Sequence, residues 1–499
     1  MKGSMGLVRV RFGGLFALAV VLIVAAPASA DHDTYGAADY GYGSGLVSDL
    51  ETPLAVPGSQ ETAAIAPRGG TDADIASPGF RRLDQRPVIV RKKRVAEGSD
   101  LAFRGKTMVA GTYEGVGVFK RKARSTKQIS FHRCPAAQGD VIVSGKTAFV
   151  SIDSPGSNDK RTKTCNNTPT DVSDSSLEKE GIRVVDISNK RKPKQVGFVE
   201  TECGSHTQTL VPGKTTSYLY VQSYPLAEVD PCSELNHPEG EISILSFPTK
   251  NPSKLENKGV VDIIPPLGAT PDTIGCHDAG VLPSKDLAAF ACLGAFVIAD
   301  ISNPARPETL SVVQNPAIEL DHSAALTWDG NMAVIGDEHA GAAGGGGCST
   351  DQSNPVGAMW YYDISDPESP TLEGSYSLPR VPPVDSPEEA ERFRCTTHNY
   401  SILPMKDRDR YVAVSPYYSG GISIVDFTDP SAPVEEHFYL SQKDGVNPDL
   451  WSAYWYRGKI FTNDNSSGEG VSVFKAKGFG RKQVRSLGRT FNPQTQVLP

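Results

Sequence analysis

Residues 181–189 read Gly-Ile-Arg-Val-Val-Asp-Ile-Ser-Asn, and a proline follows at Pro193. The same pattern returns three times, always as an apolar run that ends in Asp, with a Pro seven residues after that Asp. The later copies occupy residues 296–303, 359–366 and 422–429. Similarity that recurs at intervals of tens of residues indicates a repeat fold.

The repeated stretch predicts two strands joined by a tight turn. The residues before the Asp are mostly β-branched or aromatic, which suits a strand. The Asp-Ile-Ser-Asn segment then turns the chain, because Asp, Asn and Ser side chains bond to nearby backbone and Pro presets φ. A second strand is expected after the proline region, as at residues 195–200 and 308–313.

The composition favours an all-β fold. The chain has 499 residues, 48 Gly and 37 Pro, which is typical of many turns, and it shows no long amphipathic helical pattern. A hydrophobic content of 38% in a chain of this length is ample for one large repeat domain. The net charge of -8 gives no electrostatic case for nucleic acid, so no nucleic-acid partner is expected.

The N-terminus predicts export. Basic residues precede an apolar run at residues 15–26 and the small-residue stretch Ala28-Ser29-Ala30, which is typical of a signal peptide over residues 1–30. An uncleaved anchor helix is the alternative, although the run is short for a bilayer. A secreted or cell-surface protein without a transmembrane segment after signal cleavage is expected.

A disordered leader over residues 31–82 is predicted from its Gly, Ala, Ser and Pro content. Residues 86–95 are expected to form an edge strand or the closing strand of a ring. The repeat domain is assigned to residues 83–499.

Seven units can be counted in that domain. A turn such as Gly145-Lys146 or Gly213-Lys214 separates two short strands in each unit, and the repeat strand or a degenerate version follows after a variable loop. The degenerate versions lie at residues 116–119, 241–247 and 471–474. Four-stranded units around a centre predict a seven-bladed β-propeller of four-stranded blades, expected to be a monomer. An open stack would need capping units, which the sequence lacks.

The repeated Val-Val-Asp-Ile-Ser-like stretches with their downstream Pro resemble the LVIVD-repeat family. This propeller family consists mostly of exported or surface proteins, and the resemblance extends from about residue 99 to the C-terminus. The resemblance implies the fold but no single activity, so the function has to be argued from a site.

Four of the nine histidines occupy one position of the repeat, about eight residues before the first turn of their units. That position starts the innermost strand, which lines the channel of a propeller, so four imidazoles are expected around one mouth of the channel. They are His206, His277, His322 and His398. The same position holds Gly98, Gln138 and Trp451 in the other units.

Neutral imidazole is the commonest protein ligand of Zn, Cu and Fe, so a transition metal is a possible cofactor. Polar side chains on the same face are expected to orient the imidazoles or to line a pocket. This second set contains Gln138, Asp278, Asp321, Asp337, Glu338 and His339. Two other interpretations remain open: each His bonds to the backbone of a neighbouring blade, or the ring is a metal-free polar ligand pocket.

Eight cysteines in an exported chain indicate disulfides. Inner-strand starts and the loops after second strands lie at the same end of a blade, which favours pairing between them. The predicted pairs are Cys134–Cys165, Cys203–Cys232, Cys276–Cys292 and Cys348–Cys395. No Cys-x-x-Cys occurs, which disfavours a thiolate metal site.

Two functions follow from these features. The favoured one is a secreted or cell-surface propeller that binds a protein, a glycan or a small molecule through its disulfide-braced channel face. The alternative is a metal-dependent enzyme, an oxidoreductase or a hydrolase, that uses the four-His centre. No nucleophile elbow occurs, and the sequence assigns no catalytic residue.

Overall fold

The fold is entirely β in the part of the chain that the structure describes. This structure is a computed structural model that describes residues 74–92, 94–135, 138–152, 165, 180–201, 204–223, 241–264, 275–338, 348, 355–380, 382, 393–441, 448–466 and 469–498. The all-β prediction is confirmed over these ranges. They contain no helix that is long and apolar enough to cross a membrane. The predicted signal peptide, residues 1–30, lies outside them and stays a prediction.

Four short strands precede the repeats: β1 (Ile75–Ala76), β2 (Phe80–Arg86), β3 (Val88–Arg91) and β4 (Arg94–Ala96). The next sixteen, in chain order, are β5 (Gly98–Arg104), β6 (Thr107–Thr112), β7 (Gly115–Arg121), β8 (Thr126–Arg133), β9 (Val141–Ser144), β10 (Thr147–Ile152), β11 (Gly181–Asp186), β12 (Lys194–Glu200), β13 (Thr207–Val211), β14 (Thr216–Gln222), β15 (Glu241–Pro248), β16 (Glu256–Asp262), β17 (Asp278–Leu282), β18 (Leu287–Ala291), β19 (Phe296–Asp300) and β20 (Glu308–Val313). The last twelve are β21 (Asp321–Leu326), β22 (Met332–Asp337), β23 (Met359–Asp363), β24 (Thr371–Tyr376), β25 (Ser401–Ile402), β26 (Val412–Pro416), β27 (Ile422–Asp426), β28 (Val434–Leu440), β29 (Leu450–Tyr456), β30 (Lys459–Asp464), β31 (Val471–Ala476) and β32 (Thr490–Phe491).

These strands form seven antiparallel blades of four strands each, as predicted. Six blades take consecutive strands, β5–β8 through β25–β28, and the seventh joins β29–β31 to β2. The inner strand of each blade packs against the inner strand of the next, and β29 packs against β5. The blades therefore close into a ring around one axis.

The N-terminal strand β2 closes the ring, and this corrects two sequence expectations. The outer strand of the seventh blade is Phe80–Arg86, paired with β31, rather than residues 86–95, which form the hairpin β3–β4. The leader expected over residues 31–82 also ends too late, because β1 already pairs with β28. Apolar Phe80, only 3% exposed, explains the early start: its ring packs between blades six and seven.

The Asp of the repeated motif ends the third strand and turns the chain. Its Oδ1 accepts a hydrogen bond from the backbone N–H two residues later, which is the Asx turn expected of Asp. The four bonds are Ser188–Asp186 at 2.7 Å, Ser302–Asp300 at 2.6 Å, Ser365–Asp363 at 2.7 Å and Thr428–Asp426 at 2.9 Å. A strand follows each turn, so the strand–turn–strand prediction is confirmed.

Blade-to-blade contacts form the core. The second strand β10 is buried at every position, whereas the outer strand β12 is only half-buried or exposed. Ring pairs join adjacent blades, and burying each such ring contributes about 1.5–3 kcal/mol. Examples are Tyr361–Phe427 and Phe296–Tyr362, with centroids 4.6 Å apart, and Phe149–Phe247 at 5.2 Å.

The C-terminal segment crosses the channel at the end where the inner strands finish. After β32 pairs with β5, the Asn492 amide bonds to the backbone N and O of Val143 in β9. The segment then bonds to Leu210 in β13, Val281 in β17 and Leu326 in β21 through Thr495, Gln494 and Gln496. It contacts the inner strands of five successive blades, so this end of the channel is covered.

Candidate metal centre

The four repeat histidines lie together at the start of the inner strands. His206 and His277 immediately precede β13 and β17, His322 is in β21, and His398 comes shortly before β25. None is more than 1% exposed. Centroid distances between successive rings are 4.3 Å, 3.8 Å and 4.3 Å. The ring of blades thus brings residues nearly 200 positions apart into one continuous arc of imidazoles, because each holds the same place in its unit.

Glu338 places a carboxylate against the middle of this arc. It follows β22 directly, and its Oε2 lies 3.1 Å from His322 Nε2 while its Oε1 lies 3.7 Å from His398 Nε2. Two ligands that each lie about 2.1 Å from one ion are about 3.0–3.4 Å apart at bond angles of about 90–110°. The three side chains therefore stand at close to the spacing of ligands of one ion. From the sequence, Glu338 was expected to orient the imidazoles or to line a pocket, and in the structure it contacts two of them directly.

The hydrogen bond of His398 fixes which of its nitrogens faces the carboxylate. Its Nδ1 lies 2.8 Å from the backbone oxygen of Trp451. A carbonyl oxygen only accepts, so Nδ1 carries the proton, and in the neutral ring Nε2 has the free lone pair. Metal-binding histidines commonly donate their other N–H to a backbone carbonyl in this way.

A second possible ligand group shares His322. His277, Asp278 and His322 offer ligand atoms within 4.8 Å of one another, as do His322, Glu338 and His398. Asp278 Oδ2 is 3.6 Å from His277 Nδ1. Neither ring nitrogen of His322 makes a well-aligned hydrogen bond among the described residues, and the nearest polar atom given for Nε2 is the Glu338 carboxylate oxygen at 3.1 Å. His322 is therefore central to either way of holding an ion.

Comparison with known sequences identifies the repeat. The family model of the LVIVD repeat matches residues 177–201, 290–314 and 362–377. The chain is a β-propeller that carries the LVIVD repeat at these three stretches. The first two matched stretches span the third and fourth strands of their blades, and the last spans the end of β23 and all of β24.

No curated protein matches the chain. Among solved structures, the β-propeller domain of Cps50 (Swd1) from Myceliophteria thermophila is similar at 9% identity, with 81% of this chain and 99% of that chain covered and a TM-score of 0.45. A functionally unknown protein from Desulfotomaculum acetoxidans DSM 771 is similar at 10% identity, with coverages of 77% and 90% and a TM-score of 0.44. Neither bears on the function of this chain.

Burial keeps the centre of the arc in the protonation state that binds metals. Desolvation lowers the pKa of His322 to about 4, and the Glu338 carboxylate opposes only part of this shift. His322 is therefore a neutral imidazole near neutral pH, the form that binds a metal. Desolvation also raises the pKa of Asp278 well above its usual range, and the Asp100 carboxyl adds to the shift. A bound cation would favour the ionised carboxylate.

Aromatic side chains form the wall beside His398. The Tyr418 hydroxyl donates to Glu338 Oε1, and the Tyr418 ring lies 4.8 Å from that of His398. The Trp451 ring lies 4.3 Å from His398 on the other side. The Arg394 guanidinium stacks 4.2 Å above Tyr418 and pairs with Asp449 at 2.6 Å. From the sequence, Tyr417-Tyr418 was expected to stack on a sugar or another flat ligand or, more simply, to pack in the core, and a hydrogen bond from Tyr418 to Glu338 was not foreseen.

Several residues of the predicted second set take other positions. Asp337 Oδ1 accepts from the backbone N–H groups of Glu319 and Leu320 at 3.1 Å, and so holds that loop. Asp321 is paired with Asp337 across β21 and β22, and it has no ion pair with the four imidazoles in the described ranges. Gln138 is buried at the matching point of the second blade, without a hydrogen bond to these rings among the described residues. His339 lies outside the described residues.

Three of the four predicted disulfides are present. Cys276–Cys292 lies within the fourth blade. Cys134–Cys165 joins the end of β8 in the first blade to a residue between β10 and β11 of the second, and Cys348–Cys395 joins the fifth blade to the start of the sixth. Cys276 is the residue before His277, and Cys395 is three residues before His398. Two disulfides therefore brace the strand starts that carry the arc. Cys203 and Cys232, the fourth predicted pair, lie outside the described residues.

Proposed function

We propose that this protein is an exported metal-binding propeller. A transition-metal ion, Zn, Cu or Fe, is held by His322, His398 and Glu338, and His277 and His206 extend the arc beside it. A small molecule or the exposed group of a larger partner would bind beside these residues, at the disulfide-braced end of the channel. The observation that carries the proposal is the carboxylate of Glu338, which faces two buried imidazole Nε2 atoms at near-ligand distances.

The ligand chemistry supports a transition metal over a hard cation. Imidazole nitrogen is a good ligand for Zn, Cu and Fe, whereas Ca and Mg select oxygen. The four rings are screened from bulk solvent, at most 1% exposed, and a neutral His322 needs no deprotonation before it binds. Export is supported by the three disulfides, which persist in oxidising compartments.

The test is the metal content of the protein purified from the exported fraction without a metal-affinity tag. We expect about one ion per chain by elemental analysis, and its loss in His322→Ala. His132→Ala is the matched control, because His132 is also buried, at 6% exposure, but lies on the outer strand β8 away from the arc. A wild-type protein that neither carries nor takes up Zn, Cu or Fe contradicts the proposal, as does full metal content in His322→Ala.

A metal-dependent reaction, as an oxidoreductase or a hydrolase, is the second candidate. The feature that favours it is the Tyr418 hydroxyl, which donates to Glu338 beside the proposed ion. A hydroxyl in that place can exchange a proton with a group bound to the metal. Tyr418→Phe separates the two functions: a pure binding protein keeps both metal and ligand affinity, whereas an enzyme keeps its metal and loses turnover.

A further inference from the structure

A cavity of ligand size lies at the end of the propeller opposite the imidazole arc. The arc is where the inner strands begin, whereas the cavity lies beside the turns that follow the inner strands of blades four, five and six. Its volume is about 310 Å³, within the range of about 300–1,000 Å³ that is typical of small-molecule sites. The lining residues that give the cavity its chemistry are Lys285, Trp328, Asp329, Arg408, Tyr411 and Arg485.

Two aromatic side chains of the lining are held in place by hydrogen bonds. Trp328 Nε1 donates to the backbone oxygen of Ile402 at 2.9 Å, which links blade five to blade six. The Tyr411 hydroxyl donates to Asp329 Oδ2 at 2.6 Å and so ties the second ring to the same turn. Side chains that are already fixed lose little entropy when a ligand binds. The cavity is therefore preformed for a ligand with a flat apolar body.

Three cations line the same cavity without a counterion. Lys285, Arg408 and Arg485 form no ion pair among the described residues. Arg410, the fourth cation of the lining, differs because two carboxylates pair with it. Like charges that are gathered without a counterion repel one another. In a chain with a net charge of -8, this local excess of cations indicates a place for an anion.

The two carboxylates of the lining do not neutralise these cations. Asp329 accepts from four donors, which are the hydroxyls of Thr327 and Tyr411 and the backbone and side-chain N–H groups of Asn331. Asp407 is exposed to solvent. Neither carboxylate forms an ion pair with the three cations in the described part of the chain.

Two of the three cations are positioned by the fold. The stem of Lys285 packs against Gly330, where a Cβ would lie 3.2 Å from Lys285 Cγ, and the positive φ of 80° at this turn suits glycine. Arg485 belongs to the C-terminal segment, and its backbone N–H donates to the backbone oxygen of Pro404 at 2.8 Å. The charges therefore come to one cavity from blade four, blade six and the C-terminal segment.

We propose that this cavity binds a small organic phosphate with a flat apolar body. Arginine recognises phosphate through paired N–H donors, and lysine binds it as a point charge. A phosphate monoester carries a charge of about −1.5 to −2 at pH 7, which suits three cations better than the single charge of a carboxylate does. Trp328 and Tyr411 contact the organic part of the ligand, and the metal centre takes no part.

The test is titration calorimetry of the full exported chain with phenyl phosphate at low salt. We expect saturable binding, about tenfold tighter or more than that of inorganic phosphate or phenol, because each of these lacks one half of the ligand. Arg485→Gln and Lys285→Gln should each weaken binding about tenfold or more, since each removes a charge-assisted contact. Lys146→Gln is the matched control and should leave the Kd unchanged, because Lys146 is also exposed and holds the position of Lys285 in blade two.

Chelator treatment separates this cavity from the metal centre, because a phosphate can also bind a metal ion. The Kd of phenyl phosphate should not change after the treatment, and loss of binding overturns the proposal. No saturable binding in the wild type, equal affinities for phenol and phenyl phosphate, or an unchanged Kd in Lys285→Gln does the same. Benzoate that binds as tightly as phenyl phosphate overturns the assignment of a phosphate. If Arg485→Gln fails to fold, Lys285→Gln decides alone, because its side chain is exposed.

Discussion

Replacing Glu338 by Gln distinguishes between two interpretations of the four imidazoles, a metal centre and a purely structural cluster. The substitution keeps the size of the side chain and an oxygen that accepts from Tyr418, but it removes the charge that faces His322 and His398 at 3.1 Å and 3.7 Å. Losing a residue that only orients a ligand costs about 10–100-fold in metal affinity. Because Glu338 is within ligand distance, we expect at least 100-fold, or about 2.8 kcal/mol.

The assay is competitive titration of Zn²⁺ and Cu²⁺ against a chelator of known affinity, together with chemical unfolding of the metal-free protein. The free energy of unfolding of the metal-free protein should change little, because His322 is neutral and so forms no ion pair that the substitution would break. Glu469→Gln is the control, because Glu469 is equally buried but contacts Arg82 and Gln85 in the seventh blade. If Glu338→Gln binds metal as tightly as the wild type, the assignment of Glu338 as a ligand is wrong.

Three further outcomes test the fold around the site. Burial raises the pKa of Asp464 to about 8, above the unfolded value of about 3.9, so between these values the folded state binds one proton more than the unfolded state. The free energy of unfolding should therefore fall as the pH rises from about 5 to about 8. Asp464→Asn should flatten that fall in urea titrations at several pH values, and a steeper fall would contradict the assignment. Asn492→Ala leaves the backbone N and O of Val143 without their side-chain partner and should lower the free energy of unfolding by about 2 kcal/mol or more, measured by chemical denaturation. Replacing Cys276 and Cys292 by Ser opens a loop with a sequence separation of 16, and a loss of about 3 kcal/mol is expected under non-reducing conditions only.

The fold could be predicted because the repeat consists of short-range features that can be recognised in the sequence. Each Asp that ends a third strand makes the same Asx bond, as Asp186 and Asp426 do, so the pattern marks the same turn in four blades. The strand that closes the ring was misplaced because Phe80–Arg86 carries four charged residues and no repeat motif. Its place is decided by pairing with β31, nearly 400 residues away, which no local pattern encodes.

The candidate site was only partly predictable, for the same reason. Residues at one repeat position, such as His277 and His322, could be found by aligning units. Glu338 lies at the end of a second strand, and whether its side chain turns towards His322 or away depends on the folded structure, in which it turns towards His322. The C-terminal segment that covers the other end of the channel could not be predicted, because it belongs to no repeat and its contacts, such as that of Gln494 with Val281, depend on the closed ring.

His322 decides between a metal centre and the structural interpretation, in which each repeat histidine only bonds to the backbone of a neighbouring blade. Blades one, two and seven form without a histidine at this position, where they have Gly98, Gln138 and Trp451, so the imidazole is not required to build a blade. A structural histidine would be expected to bond to a neighbouring backbone, as His398 does to Trp451. His322 is the most buried of the four and bonds to no backbone atom at either nitrogen among the described residues, and the polar contact of its Nε2 is the Glu338 carboxylate at 3.1 Å. An ion shared with Glu338 accounts for this arrangement, whereas the structural interpretation expects a backbone bond that His322 does not make among the described residues.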